Sequence, residues 1–193
     1  MREIEIKVRV RNAEQTLATL EKQGIRLSEP KKQHDVVYGW PDALENNPAF
    51  CWLRIRTEND TRHILTLKRN VTTALDSIEH ETIVEDAKET AAIITQLGYV
   101  EYSDITKIRR KGHYGDIEIC YDELPELGTY LEAEKLCAED VDYATVEAEL
   151  WAFLSTLGVS KNDEETNAYD VLIVQQRAQK GQDGSNVLAQ TER

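Results

Sequence analysis

The N-terminal segment constrains the fold most, because polar and apolar side chains alternate there with a period of two. The apolar set is Ile4, Ile6, Val8 and Val10, and the charged set is Glu3, Glu5, Lys7, Arg9 and Arg11. This period is typical of a β-strand with one apolar and one charged face. The charged face of a single strand of this kind is usually the solvated outer face of an antiparallel sheet, so the interpretation depends on whether the pattern recurs.

The alternation does recur, and it predicts about eight strands. They cover residues 2–11, 33–38, 51–58, 64–69, 76–85, 105–110, 116–122 and 131–134. Helical spacing, capping residues and terminal glycines predict helices at 13–23, 87–97 and 144–157, and a shorter one at 167–174. The chain is therefore expected to form one domain over residues 1–174, followed by a flexible tail over 175–193.

The helices need an apolar surface to pack on, and the apolar faces of the strands supply one. The charged faces must then point inward. About eight antiparallel strands can close into a barrel, which removes the sheet edges and leaves a lumen. We therefore predict an α+β fold dominated by β structure: an eight-stranded antiparallel closed barrel with helices packed outside.

Charged residues share the predicted inward faces. The basic set is Lys7, Arg9, Arg54, Arg56, Lys68, Lys107 and Arg109, and the acidic set is Glu3, Glu5, Glu79, Glu81, Glu118, Asp122, Glu132 and Glu134. Partly desolvated ions cost several kcal/mol each unless they are paired, hydrated or metal-bound. A charged lumen therefore indicates a ligand rather than a contribution to stability.

Arg binds two phosphate oxygens with its planar fork, and Lys acts as a point charge. Ligation by carboxylates alone favours Mg²⁺ or Mn²⁺ over zinc or copper. The lumen is therefore expected to bind anionic phosphates on its basic wall and a hard divalent cation on its acidic wall.

Other features narrow the class of protein. The net charge is −13, which argues against bulk nucleic acid as a partner. The three cysteines show no CxxC spacing and the four histidines form no cluster, so neither a disulfide frame nor a zinc site is expected. The chain shows no signal peptide and no apolar run long enough to cross a membrane, so we expect a cytoplasmic protein without a membrane partner.

Several residues can be explained by a structural role instead of a role in the site. Glu118 is equally consistent with a structural partner of an arginine, and His80 has the parity opposite to its glutamate neighbours. The three tryptophans are expected to pack in the fold. Arg9 and Arg11 are not assigned to the site, and Lys111 is expected near a strand end, where it adds positive charge.

These residues, in this order, resemble the CYTH superfamily, the triphosphate tunnel metalloenzymes, and especially the branch similar to class IV adenylyl cyclases. The matching segments are EIEIK at Glu3, Glu5 and Lys7, LRIR at Arg54 and Arg56, LTLK at Lys68, KIR at Lys107 and Arg109, and IEICYDELPELGTYLEAE at Glu118, Asp122, Gly128, Glu132 and Glu134. The resemblance covers about residues 1–173. Two positions depart from the family pattern: Ser77 stands where a basic residue is common, and Ala168 replaces a serine before Tyr169.

The resemblance implies a site for a triphosphate and for Mg²⁺ or Mn²⁺. Triphosphate binding is assigned to Lys7, Arg54, Arg56, Lys68, Lys107 and Arg109. Metal binding is assigned to Glu3, Glu5, Glu79, Glu81, Glu118, Asp122, Glu132 and Glu134. Lys7 and Asp122 are the candidate catalytic residues, with Asp122 or a neighbouring carboxylate as a base.

Three functions stay open from the sequence, beside the alternative of a structural interaction domain whose charged face is merely solvated. The first is hydrolysis of a phosphoanhydride bond in ATP, tripolyphosphate or thiamine triphosphate. The second is adenylyl cyclase activity, which converts ATP to cyclic AMP and pyrophosphate in the same kind of tunnel. The third is a module that binds polyphosphate or nucleotide without catalysis. The family resemblance also makes a homodimer a reasonable expectation.

Overall fold

The computed structural model of the chain describes residues 1–40 and 51–191, with side chains as far as residue 181. This part contains eight strands and four α-helices. The strands are β1 (Arg2–Arg9), β2 (Lys31–Gly39), β3 (Trp52–Glu58), β4 (Arg62–Asn70), β5 (Asp76–Val84), β6 (Val100–Tyr114), β7 (Ile117–Leu124) and β8 (Gly128–Cys137). The helices are α1 (Ala13–Lys22), α2 (Ala87–Gln96), α3 (Tyr143–Thr156) and α4 (Tyr169–Thr191), with a short 3₁₀ helix, Lys161–Asp163, before α4.

The eight strands form a closed antiparallel barrel in the order β1-β5-β4-β3-β2-β6-β7-β8. β1 joins the two ends of the sheet, because it pairs with β8 along its whole length and with β5 over three residues. The predicted fold class is confirmed. The pairing also aligns charged inward residues of neighbouring strands, as with Lys7 opposite Glu132 and Arg109 opposite Asp122.

The helices pack on the outside of the barrel, as the sequence predicts. The main core lies between α1, α3 and the apolar faces of β1, β7 and β8, and it includes Ile4, Ile6, Leu20, Ile119, Leu131, Leu150 and Leu154. A second cluster places Ile94 of α2 against Leu53 and Ile55 of β3. The barrel therefore has its apolar faces covered by helices and its charged faces inside.

Local signals set the ends of these helices. The Asn12 side chain accepts a hydrogen bond from the Gln15 N–H, and the Asp86 side chain accepts one from the Glu89 N–H. Gly24 follows α1 with φ of 78°, a left-handed conformation that favours glycine. Asn12 and Asp86 therefore cap the first turns of α1 and α2.

Strand β6 is longer than predicted, because it runs from Val100 to Tyr114. Gly112 allows this extension: a Cβ at that position would lie 2.9 Å from Ile25 Cγ2 and 3.1 Å from the Arg26 carbonyl oxygen. The connection between α1 and β2 therefore packs directly on the β6 backbone. The sequence contains no alternation over this part of β6 that could have predicted it.

Helix α4 also extends beyond its predicted end at residue 174, as far as Thr191. Its residues beyond 174 show no apolar stripe, but many of them are good helix formers. The first turns of α4 pack Tyr169 and Ile173 against Ile105, Leu124 and Tyr130 of the barrel. The start of α4 therefore covers one end of the lumen, while the flexibility of residues 175–193 stays a prediction.

Arg2 and Asp76 form a buried ion pair that joins β1 to β5, where the strands pair over only three residues. The guanidinium donates to both carboxylate oxygens at 2.7 Å. Removing one partner would leave the other charge buried and unpaired.

We expect Asp76→Ala to lower the free energy of unfolding by about 2–3 kcal/mol, because the Arg2 charge loses its partner. Chemical denaturation measures this change. Lys32→Ala is the matched control, since Lys32 forms an exposed pair with Asp60, and it should cost less than about 1 kcal/mol. Equal losses in the two variants would show that the Arg2–Asp76 pair does not secure the closure of the barrel.

Candidate active site

The inside of the barrel is a cavity of about 910 Å³. Every predicted site residue except Asp122 lines it. These residues are Glu3, Glu5, Lys7, Arg54, Arg56, Lys68, Glu79, Glu81, Lys107, Arg109, Glu118, Glu132 and Glu134. Because residues of one parity share a strand face, seven different strands contribute to this one charged wall.

Arg109 is the most heavily paired cation of the cavity. Its Nε and Nη2 atoms donate to the two oxygens of Asp122 at 2.7 and 2.5 Å, and it also contacts Glu132 and Glu134. Burial alone would lower the pKa of Arg109, but the charges of Asp122 and Glu132 raise it well above its usual value. Arg109 is therefore a fixed positive charge in the cavity wall.

Asp122 lies behind this guanidinium. Its side chain has no exposed surface, Arg109 occupies both of its oxygens, and Lys107 Nζ lies 3.3 Å from one of them. The sequence assigned Asp122 to metal binding and to proton transfer, but its carboxylate does not reach the surface of the cavity. Its geometry is that of a residue that orients Arg109.

Arg56 has an equivalent partner, Asp35, which the sequence analysis missed. Arg56 Nε and Nη2 donate to the two Asp35 oxygens at 2.7 Å each. Burial alone would raise the pKa of Asp35, but the Arg56 charge and its hydrogen bonds lower it. Asp35 was missed because the apolar residues Val36 and Val37 follow it and hide the alternation of β2; its shared parity with Gln33 was the available signal.

Glu3, Glu5 and Glu134 form a carboxylate cluster, in which one oxygen from each side chain lies within 4.8 Å of the others. Burial and the neighbouring Glu132 charge raise the pKa of Glu5 to about 7. Burial raises the pKa of Glu3 and, more strongly, that of Glu134. These carboxylates therefore repel one another when all are ionised.

A divalent cation fits this carboxylate cluster. Glu5 Oε1 is buried and has no hydrogen bond, although Lys7 Nζ lies 3.1 Å away. The donors are all carboxylate oxygens, which hard cations such as Mg²⁺ and Mn²⁺ prefer. A cation here would replace the repulsion among the carboxylates with attraction.

Arg54 and Lys68 are less enclosed than the cations just described, and they pair with Glu79 and Glu81. Lys68 Nζ lies 2.9 Å from Glu79 Oε1, and Arg54 Nη2 lies 3.2 Å from Glu81 Oε1. Burial alone would raise the pKa of Glu79, but the charges of Lys68 and Arg54 lower it to about 2. The predicted metal ligands Glu79 and Glu81 thus serve here as partners of cations.

Glu118 pairs with Lys111, which also lines the cavity. The sequence analysis considered an arginine as a structural partner of Glu118, but the partner in the structure is Lys111. Glu118, Cys120 and Glu134 form a second group with ligand atoms within 4.8 Å of one another. Lys111 already supplies a cation to that group, so the Glu3, Glu5 and Glu134 cluster is the better candidate for a metal.

The segment that leads into α4 closes the cavity near Lys7 and Lys107. The ring of Tyr169 lies over both ammonium groups, with its centroid 4.3 Å from Lys7 Nζ and 4.9 Å from Lys107 Nζ. Asp170 follows it in the cavity lining. The sequence analysis assigned neither residue to the site: Tyr169 matched the family pattern, but Ala168 before it departs from that pattern, and Asp170 belongs to no alternating strand.

The remaining aromatic and basic residues lie as follows. Trp52 lines the cavity and contacts the Tyr102 ring at 5.2 Å between centroids. His80 is exposed, as its parity predicts. Arg9 and Arg11 do not line the cavity, which agrees with leaving them out of the site.

The family model named CYTH domain matches residues 1–169 of the chain. The chain belongs to the CYTH domain family. A relative from Methanocaldococcus jannaschii, named "Putative adenylate cyclase MJ0240", is 30% identical over 167 residues, which cover 84% of this chain and 93% of the relative.

Solved structures of similar fold support the CYTH architecture. A protein from Pyrococcus horikoshii OT3 has a TM-score of 0.76 at 23% identity, covering 88% of this chain and 98% of that one. The protein HpAC1 from Hippeastrum, described as having a dominant triphosphatase activity, has a TM-score of 0.56 at 18% identity, covering 87% of this chain and 91% of that one. At these identities the likeness shows the shared fold.

CYTH enzymes are metal-dependent, and the carboxylate cluster of this chain is consistent with that property. Within the described residues, no helix combines the length and apolarity needed to cross a membrane.

We expect Mg²⁺ or Mn²⁺ to raise the melting temperature of the protein, because the cation relieves the repulsion within the carboxylate cluster. At a concentration about 100 times its Kd, a ligand specific for the native state contributes about 2.7 kcal/mol. Glu5→Gln should remove most of this effect, and differential scanning calorimetry measures it.

Glu123→Gln is the control, because Glu123 is exposed on the outer face of β7. It should keep the full metal-induced increase. If Glu5→Gln responds to the metal as the unchanged protein does, the cluster is not the binding site.

Proposed function

We propose that this CYTH protein is an enzyme that requires Mg²⁺ or Mn²⁺ and cleaves a phosphoanhydride bond in a small triphosphate. The observation that carries this proposal is one cavity that is lined by seven lysine and arginine side chains beside a three-carboxylate cluster. A triphosphate is negative and a divalent cation is positive, so the basic and the acidic residues of this wall suit one ligand each. The substrate class comprises tripolyphosphate, ATP and thiamine triphosphate.

Binding of a triphosphate and a metal ion would replace existing ion pairs with new ones, so the cavity would not gain unpaired buried charge. At rest, Lys7 lies between Glu5 and Glu132, and Lys68 lies against Glu79. A divalent cation that engages Glu5 would release Lys7 from that partner to a phosphate oxygen, and another phosphate oxygen would replace Glu79 beside Lys68. This exchange predicts that triphosphate and metal bind with positive coupling.

The residues divide into three roles under this proposal. Lys7, Lys107 and Arg109 would bind the part of the triphosphate in the enclosed region, while Arg54 and Lys68 would bind the part nearer the opening. Asp35 and Asp122 would orient Arg56 and Arg109. These fixed positive charges would stabilise the charge that develops on the leaving oxygen.

Glu3, Glu5 and Glu134 would hold the divalent cation. Such an ion orients phosphate oxygens, withdraws charge from the reacting phosphorus and can lower the pKa of a water molecule.

Adenylyl cyclase activity is the second candidate, and the name of the relative from Methanocaldococcus jannaschii favours it. The same cavity would bind ATP, and the ribose 3′-hydroxyl would attack the α-phosphate. The nucleophile is water in hydrolysis and the ribose 3′-hydroxyl in cyclisation, and the charged wall alone does not select between them.

We expect turnover of at least one triphosphate in the presence of Mg²⁺ or Mn²⁺. Tripolyphosphate, ATP and thiamine triphosphate are offered separately, and phosphate, pyrophosphate and cyclic AMP are each measured. Phosphate release supports the hydrolase and cyclic AMP supports the cyclase. Tight binding with no product from any of them would indicate a binding module.

Arg54→Ala should weaken the binding of tripolyphosphate by about 10- to 100-fold, because one charge-assisted hydrogen bond to phosphate is lost. Isothermal titration calorimetry with metal present measures this. Arg62→Ala is the control, since Arg62 forms an ion pair with Glu58 and does not line the cavity. Unchanged affinity in Arg54→Ala would contradict binding on this wall.

A further inference from the structure

Asp170 differs from every other carboxylate that lines the cavity. Glu3, Glu5 and Glu134 form the carboxylate cluster. The ion-paired carboxylates are Asp35, Glu79, Glu81, Glu118 and Glu132. Within residues 1–40 and 51–181, Asp170 belongs to no ion pair and to neither metal-ligand group, so its negative charge is not committed to a cation.

The backbone fixes the Asp170 side chain at the start of α4. The Val171 N–H donates to Asp170 Oδ1 at 2.9 Å, and the residues from Ala168 to Val171 line the cavity together. Oδ2 accepts no hydrogen bond from any described side chain. One carboxylate oxygen is therefore held in place while the other is available.

Asp170 directly follows the residue that covers the enclosed end of the cavity. That residue, Tyr169, covers Lys7 and Lys107, which would bind the terminal phosphoryl group of a triphosphate. A nucleophile that attacks this group in line must approach from the side facing away from the rest of the substrate. Under this proposal the start of α4 would lie on that side of the terminal phosphoryl group, because Tyr169 lies over Lys7 and Lys107 and Asp170 follows it in the cavity lining.

We propose that Asp170 is a catalytic residue of this site: its Oδ2 accepts the proton of the water molecule that attacks the terminal phosphoryl group. This inference rests on the proposed triphosphatase function. The water oxygen forms a bond to the terminal phosphorus as the bond from that phosphorus to the bridging oxygen breaks. The bridging oxygen leaves with the electron pair, and the proton passes from Asp170 to solvent.

The surroundings of Asp170 suit this role. Burial raises its pKa, and the nearby Lys68 and Lys7 charges oppose that shift without cancelling it. Tyr102 is another titratable neighbour, and burial together with the charge of Asp170 raises the pKa of its phenol. A carboxylate with a raised pKa is a stronger base, and it is active in its ionised form.

The test compares four proteins with tripolyphosphate and with ATP in Mg²⁺: the unchanged chain, Asp170→Asn, Asp170→Glu and Glu126→Gln. Asparagine keeps the oxygen that accepts from Val171 but is no base. Glu126→Gln breaks the exposed pair with Arg177 of α4, so it controls for disturbance of this helix. Thermal unfolding and calorimetric binding of tripolyphosphate check that each variant folds and binds.

We expect Asp170→Asn to lower kcat by roughly 100-fold or more, with KM nearly unchanged. For the unchanged chain, kcat should rise with pH as Asp170 ionises and then level off; this rise should disappear in Asp170→Asn. Asp170→Glu should retain more activity than Asp170→Asn, and Glu126→Gln should match the unchanged chain.

A kcat of Asp170→Asn within about threefold of the unchanged chain would overturn the proposal, as would a loss confined to KM. Formation of cyclic AMP as the main product would also overturn it, because water is then not the nucleophile. Absence of turnover by the unchanged chain would overturn both this inference and the proposed function, which separates that failure from a failure of Asp170 alone.

Discussion

The cost of enclosing charge determines how this barrel is built. An ion moved out of water loses several kcal/mol of hydration unless another charge replaces it. Each deep cation accordingly has an acidic neighbour, as with Arg109 beside Asp122 and Arg56 beside Asp35. Since apolar side chains would fill a barrel more cheaply, the charged interior is explained by what it binds.

Most of the prediction rested on strand parity, because the pleat of a β-strand points successive side chains to opposite faces. Alternation placed Glu3, Glu5 and Lys7 on one face, and the need to cover the opposite apolar face required helices outside and charges inside. Parity gives the face of a residue but neither its depth nor its partner. For that reason Asp122 shared the predicted face yet lies behind Arg109.

The residues that sequence analysis missed lie where local pattern is weak. Asp35 precedes two valines that mask the alternation of β2, and Asp170 begins a helix whose later residues lack an apolar stripe. Both reach the cavity through tertiary arrangement: one through its pairing with Arg56, the other because α4 crosses an end of the barrel. The shared parity of Asp35 with Gln33 is the local signal for the first position, and no local spacing indicates the second.

Tyr169 shows a second way of holding a cation in an enclosed site. A carboxylate neutralises a lysine and must be displaced before phosphate binds, whereas an aromatic face attracts the ammonium group and leaves its charge intact. Lys107, whose pKa burial and the Arg109 charge lower, lies under this ring at 4.9 Å. The ring and Asp122, whose Oδ2 lies 3.3 Å from Lys107 Nζ, together favour the charged form of Lys107 in the absence of substrate, and the ring need not be displaced for a phosphate oxygen to bind.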